Sequence, residues 1–123
     1  MQKIRLSSSG AALACALFLL LAGIGPTDVR AQTADEKVAQ ILAIQADADY
    51  GEYLASECLT CHQVSGATAG VPPIGGLPQA YLVRAMLDYK TGDRTNSIMQ
   101  MMAGNLGDEE LASLTLYVSE LKK

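Results

Sequence analysis

Cys58-Leu59-Thr60-Cys61-His62 constrains this chain more than any other stretch. On a helix the two thiols fall one turn apart on the same side, and an imidazole follows on the next residue. A structural zinc ion needs four ligands. Beyond residue 31 the sequence holds two cysteines and one histidine, so carboxylates would have to complete such a site. A thioredoxin-like redox pair belongs beside a βαβ pattern, and no alternating strand pattern flanks this motif. A structural disulfide closes too short a loop to gain much and leaves His62 without a role. Haem attachment uses all three residues: each thiol adds to one vinyl group of a porphyrin, and His62 is placed to ligate the iron. Cys58, Cys61 and His62 are therefore the expected cofactor-binding residues of one covalent haem c.

The start of the chain carries the signs of export. Lys3 and Arg5 are basic, Ala11 to Ile24 is an apolar run, and Val29-Arg30-Ala31 puts a small residue before a cleavage point. The apolar run is short for a membrane span. The expected organisation is a signal peptide at 1–31, an N-terminal helical extension at 32–46 and a cytochrome c domain at 47–123. The expected location is the periplasm, with no membrane anchor once the signal is removed. The third cysteine, Cys15, lies in the leader. Removing Lys3, Arg5, Arg30 and Asp28 leaves six basic and twelve acidic side chains, a net charge of −6. That surface argues against nucleic acid and anionic membrane and suits a partner with a basic patch.

Helical periodicity dominates the remainder, so the expected fold class is all-α. Val38, Ile41, Leu42 and Gln45 give helical spacing within Ala34–Ala46, either a partner-docking helix or a solvated extension. A second helix runs from Asp47 or Asp49, either of which suits its cap, to Leu59. Gln63 to Leu77 is rich in glycine and proline and reads as a loop. Pro78 suits the first turn of a third helix with Tyr81, Leu82, Ala85, Met86 and Tyr89 on one face, ending near Thr91-Gly92. Asp93 to Gly107 reads as a loop carrying a methionine cluster. Asp108 is the expected cap of a last helix whose apolar stripe is Leu111, Leu114, Tyr117, Val118 and Leu121.

His62 is the only histidine of the chain. Its second ring nitrogen needs an orienting acceptor, for which a loop carbonyl is the natural supplier; Pro72 is the first choice and Pro73 the second. A second axial ligand must then be methionine, which suits electron transfer by raising the potential. Met86, Met99, Met101 and Met102 are the candidates, with Met86 also suited to filling the core. Spacing by itself does not choose among them.

Several stretches resemble class I cytochromes c: Pro72-Pro73-Ile74-Gly75-Gly76-Leu77-Pro78-Gln79-Ala80-Tyr81-Leu82, Asp88-Tyr89-Lys90-Thr91-Gly92-Asp93-Arg94, Ile98-Met99, and Leu106-Gly107-Asp108-Glu109-Glu110-Leu111. Within that class they are similar to the cytochrome subunit of flavocytochrome c sulfide dehydrogenase and to related diheme cytochromes. The resemblance covers roughly Ala48 to Leu121 and implies a small class I cytochrome c fold with helices packed around one covalently attached haem. It implies a ligand methionine seven residues before Leu106, at Met99, with Met101 as the alternative because the loop reads Met99-Gln100-Met101-Met102. It implies a metal site of His62 and Met99, and a close helix–helix approach at Gly51. Lys90 and Arg94 are candidates for the haem propionates or for solvated charges, and Tyr81 and Tyr89 for pocket lining or core. The single motif makes this chain a one-haem unit.

An iron closed on both faces offers no place for substrate, so the chain is expected to transfer single electrons and not to catalyse alone. The resemblance implies a flavoprotein sulfide dehydrogenase subunit as partner, hence sulfide oxidation. The alternatives are a free diffusible periplasmic carrier serving an oxidase or reductase, and a haem enzyme or sensor with an open iron.

Overall fold

The computed structural model describes residues 32–63 and 70–122. The expected signal peptide, at 1–31, and part of the glycine-rich stretch expected to be a loop, at 64–69, lie outside the described residues. Among the described residues five helices follow one another: α1 Ala34–Leu42, α2 Ala48–Cys61, α3 Gln79–Thr91, α4 Ser97–Gly104 and α5 Asp108–Glu120. Among the described residues there is no β-strand, and the class is all-α as expected.

Local chemistry sets most helix ends. Thr33 and Glu36 form a reciprocal capping box at α1, with Thr33 N–H donating to the Glu36 carboxylate at 2.7 Å and Glu36 N–H donating to Thr33 Oγ1 at 3.2 Å. Asp47, not Asp49, caps α2 by accepting from Tyr50 N–H at 3.0 Å. Ala34 to Ala46 is thus not one long helix: α1 stops at Leu42, and α2 restarts at Ala48. Pro78 sits one position outside α3, as its N-cap, and its carbonyl accepts from Leu82 N–H at 3.1 Å. Gly92 closes α3 with a left-handed φ of 88°.

Two expectations are corrected here. Asp93 to Gly107 is not all loop, because Ser97–Gly104 forms α4, capped by the Asn96 side chain on Met99 N–H at 3.0 Å. Its apolar residues fall on two sides: Ala103 is buried while Ile98 and Met101 point to solvent, so no single stripe marks the helix. Asp108 does not cap α5. Glu110 reaches back to Gly107 N–H at 3.0 Å, and Asp108 instead pairs with Lys37 at 2.5 Å.

α5 is the central element, with Leu111 to Thr115 buried without interruption. One apolar cluster joins Ile41 of α1, Val83 and Leu87 of α3, and Leu111 and Ala112 of α5. A second joins Ala55 of α2, Leu82 of α3, and Leu114 and Val118 of α5. α1 is therefore neither a free docking helix nor a solvated extension. It buries Ile41 completely, and its Asp35 and Lys37 pair with Arg84 and Asp108. Those solvent-exposed pairs add little; the isoleucine anchors the helix.

α2 crosses α5 at Gly51. A Cβ built there would lie 2.2 Å from Ser113 O and 2.9 Å from Tyr117 Cβ, so only glycine lets the backbones approach this closely. Beside that crossing Asp47 N–H donates to the buried Ser113 hydroxyl at 3.1 Å. Burial, with the nearby Glu52 charge, pushes the Tyr117 phenol above its ordinary value.

Gly51→Ala should destabilise the fold by about 1–3 kcal/mol through overpacking, visible as a lower thermal midpoint. Gly104→Ala, where a Cβ meets nothing within 4 Å, should leave the midpoint unchanged or raise it. Ile41→Ala should cost about 2–5 kcal/mol, measured by denaturant titration.

Candidate functional site

The last turn of α2 delivers the motif. Cys58 and Cys61 are free thiols three residues apart on that turn. They sit differently: Cys58 is half-buried against the second apolar cluster, whereas Cys61 is exposed. Burial pushes the Cys58 thiol up, and the Glu57 charge adds to this.

His62 ends the helix at φ −92° and ψ 64°, where the chain leaves helical geometry. Its Nδ1 lies 2.7 Å from the Pro72 carbonyl oxygen. A carbonyl only accepts, so this contact places the ring proton on Nδ1 and leaves the Nε2 lone pair for a metal. Pro72 supplies the acceptor from the far side of the loop. Behind it Gly76 N–H donates to Val118 O at 2.9 Å, fastening the loop to α5.

The methionines separate by their surroundings. Met86 is half-buried against the first apolar cluster. Met99 and Met102 are half-buried and share a side of α4 at i, i+3, whereas Met101 is 61% exposed. α4 leans on α3 and, among the described residues, makes no helix contact with α2. The methionine-bearing and cysteine-bearing helices therefore do not touch each other.

The chain's side chains fit a haem on three counts. The two thiols are free and one turn apart. The imidazole has one nitrogen engaged and one available. The flanking residues Leu54, Leu59, Ile74, Leu77 and Leu106 are apolar and only partly buried, offering a surface that a porphyrin face can cover. Zinc fits less well: among the described residues, no group of three or more His, Cys, Asp or Glu side chains gathers into a metal site. None of the described helices is long and apolar enough to cross a membrane.

Lys90 and Arg94, candidates for propionate contacts, are otherwise engaged. Lys90 Nζ donates to the Leu106 carbonyl. The Arg94 guanidinium lies over the Tyr81 and Tyr89 rings, 5.7 and 5.8 Å from their centroids, and 3.4 Å from Asp88. Arg94 also accepts from the Gln100 side chain through its carbonyl at 3.2 Å, which ties α4 to the end of α3. Sequence reasoning missed this anchor and the α4 helix together. The available signal was Asn96, a good N-cap three residues before Met99.

Comparison with known proteins now decides the family, since the family model described as cytochrome c matches residues 48–122. The chain belongs to the cytochrome c family. It carries haem c, covalently bound and containing iron, on Cys58 and Cys61. A cytochrome c4 of Pseudomonas aeruginosa is 37% identical over 71 residues, covering 52% of this chain and 35% of that protein. A thiosulfate dehydrogenase electron acceptor of Thiomonas intermedia is 35% identical over 71 residues, covering 55% of this chain and 33% of that protein. The cytochrome subunit of sulfide dehydrogenase of Chlorobaculum tepidum is 34% identical over 74 residues, covering 59% of this chain and 67% of that protein. The chain thus spans only about a third of the length of the first two relatives.

Acid-acetone extraction should leave haem on the wild-type chain and strip it from the Cys58→Ser, Cys61→Ser double variant. Intact mass before and after extraction checks this.

Proposed function

We propose that this cytochrome c is an exported, periplasmic carrier of single electrons whose iron is held between His62 Nε2 and Met99 Sδ. We further propose that it is the electron-accepting subunit of a flavin-dependent sulfide dehydrogenase. The 2.7 Å contact between His62 Nδ1 and Pro72 O carries the ligand reading, because it fixes the tautomer that presents Nε2. Met99 is favoured over Met86, which packs against the first apolar cluster, and over Met101, which is turned to solvent. Its backbone is held by the Asn96 cap at 3.0 Å, and it stands seven residues before Leu106, as the resemblance implies.

When bound, the haem supplies an iron that cycles between ferrous and ferric forms. The chain's own residues set the conditions for that cycle. Cys58 and Cys61 tether the cofactor against loss. Pro72 O orients His62 and makes it a stronger donor. The cluster of Ala55, Leu82, Leu114 and Val118 keeps water from the Cys58 side. Exposed Cys61 marks an edge open to partners.

Among the three relatives named above, this chain covers the largest share of the sulfide dehydrogenase subunit, 67%, which supports that partner. The second reading, a freely diffusing carrier, draws support from the two thiosulfate dehydrogenase electron acceptors, 35% and 34% identical.

Met99→Ala should abolish the methionine–iron charge-transfer band at the red end of the ferric spectrum and lower the reduction potential, while Met101→Ala should keep both. A high-spin ferric wild type would overturn closed ligation and favour a haem enzyme or sensor. The native protein should elute with a flavoprotein and reduce in the presence of sulfide; elution alone would favour the free carrier.

A further inference from the structure

We propose that the exposed side of α2 is the docking surface for a redox protein that presents lysine and arginine side chains. This deepens the electron-carrier reading and rests on it.

Tyr50, Tyr53, Glu57 and Cys61 recur at i, i+3, i+7 and i+11, which places them along one side of the helix. The two tyrosine rings stack at 6.3 Å with 11° between their planes, yet they remain 40% and 73% exposed. Tyr53, Leu54, Ser56 and Glu57 line a shallow cavity of about 260 Å³ beside them. Large, stiff rings left in water next to a concavity have the make-up of an interface centre, where tyrosine is enriched.

Charge selects the occupant. No lysine or arginine occurs between Lys37 and Arg84, while Asp47, Asp49, Glu52 and Glu57 all fall in that interval. The four ion pairs of the described residues use Asp35, Asp88 and Asp108, so three acids elsewhere on the molecule already have a cationic partner. None of the acids of α2 takes part in them. Asp49 and Glu57 therefore present uncompensated negative charge beside two π faces, and cationic side chains satisfy both features. The same side ends at exposed Cys61, one of the two residues that would tether the haem, so a partner seated there would lie beside the point of attachment.

The test uses the haem-loaded, isotope-labelled chain titrated with decalysine at low ionic strength, read by amide chemical shifts. The largest shifts are expected within Tyr50–Cys61. The Asp49→Lys, Glu57→Lys double variant should weaken binding about tenfold, and Tyr53→Ser about threefold; both changes are at solvent-exposed positions. Shifts centred on Asp108–Glu110 or on Asp88–Asp93, an unchanged affinity in both variants, or no binding would each overturn the docking surface. The visible spectrum of the same samples separates the two readings. A wild type without reducible haem would sink the carrier reading, whereas intact haem with the peptide seated elsewhere would sink only the docking surface.

Discussion

The contact between α2 and α5 at Gly51 is the constraint on which the rest of this structure depends. With the position of a missing Cβ only 2.2 Å from Ser113 O, the two backbones meet with nothing between them. That closeness brings Ala55 and Cys58 of α2 onto the same apolar cluster as Leu114 and Val118 of α5. It thereby fixes the height at which the helix ends, and so where the two thiols and the imidazole stand. A domain this small buries too little surface to stand on its core alone. A haem held there would complete that core by covering the half-buried leucines and isoleucine that the helices leave around Cys58.

α5 serves both clusters because it is apolar on several sides. Its polar members are accommodated individually. Thr115 Oγ1 donates to Leu111 O at 2.6 Å, and Ser113 Oγ accepts from Asp47 N–H at 3.1 Å, so neither hydroxyl is buried without a partner. On the opposite flank α1 closes the first cluster with Ile41. The N-terminal segment is thus structural in this chain: it supplies core, and its two ion pairs set the orientation of a helix that the isoleucine holds in place.

The separation of α2 from α4 gives the site its character. Three residues of one helix end and one loop carbonyl define the imidazole side, while the methionines arrive on a short helix that leans on α3 alone. The chain between α3 and α4 is braced by Gly92 in the left-handed region, by Arg94 N–H on Asp88 O at 2.9 Å and by Gln100 on Arg94 O. Such bracing holds Met99 at a set distance from α3 whatever α2 does.

Much of this was legible in the residues themselves. The spacing of Cys58, Cys61 and His62 determined the cofactor chemistry, since covalent geometry along a helix fixes which groups share a side. Helix class and four of the five helices followed from the period of apolar residues. Caps were less legible, because Asp47 and Asp49 are chemically equivalent and only the buried Ser113 hydroxyl, which receives Asp47 N–H, distinguishes them. Tertiary structure alone decided the remaining points. It packed Met86 against the first apolar cluster and turned Met101 to solvent, gave Asp108 to Lys37 in place of the α5 cap, and folded α1 onto α3 and α5. In each case the outcome depends on a partner tens of residues away, and a local pattern carries no information about which distant surface will compete for a side chain.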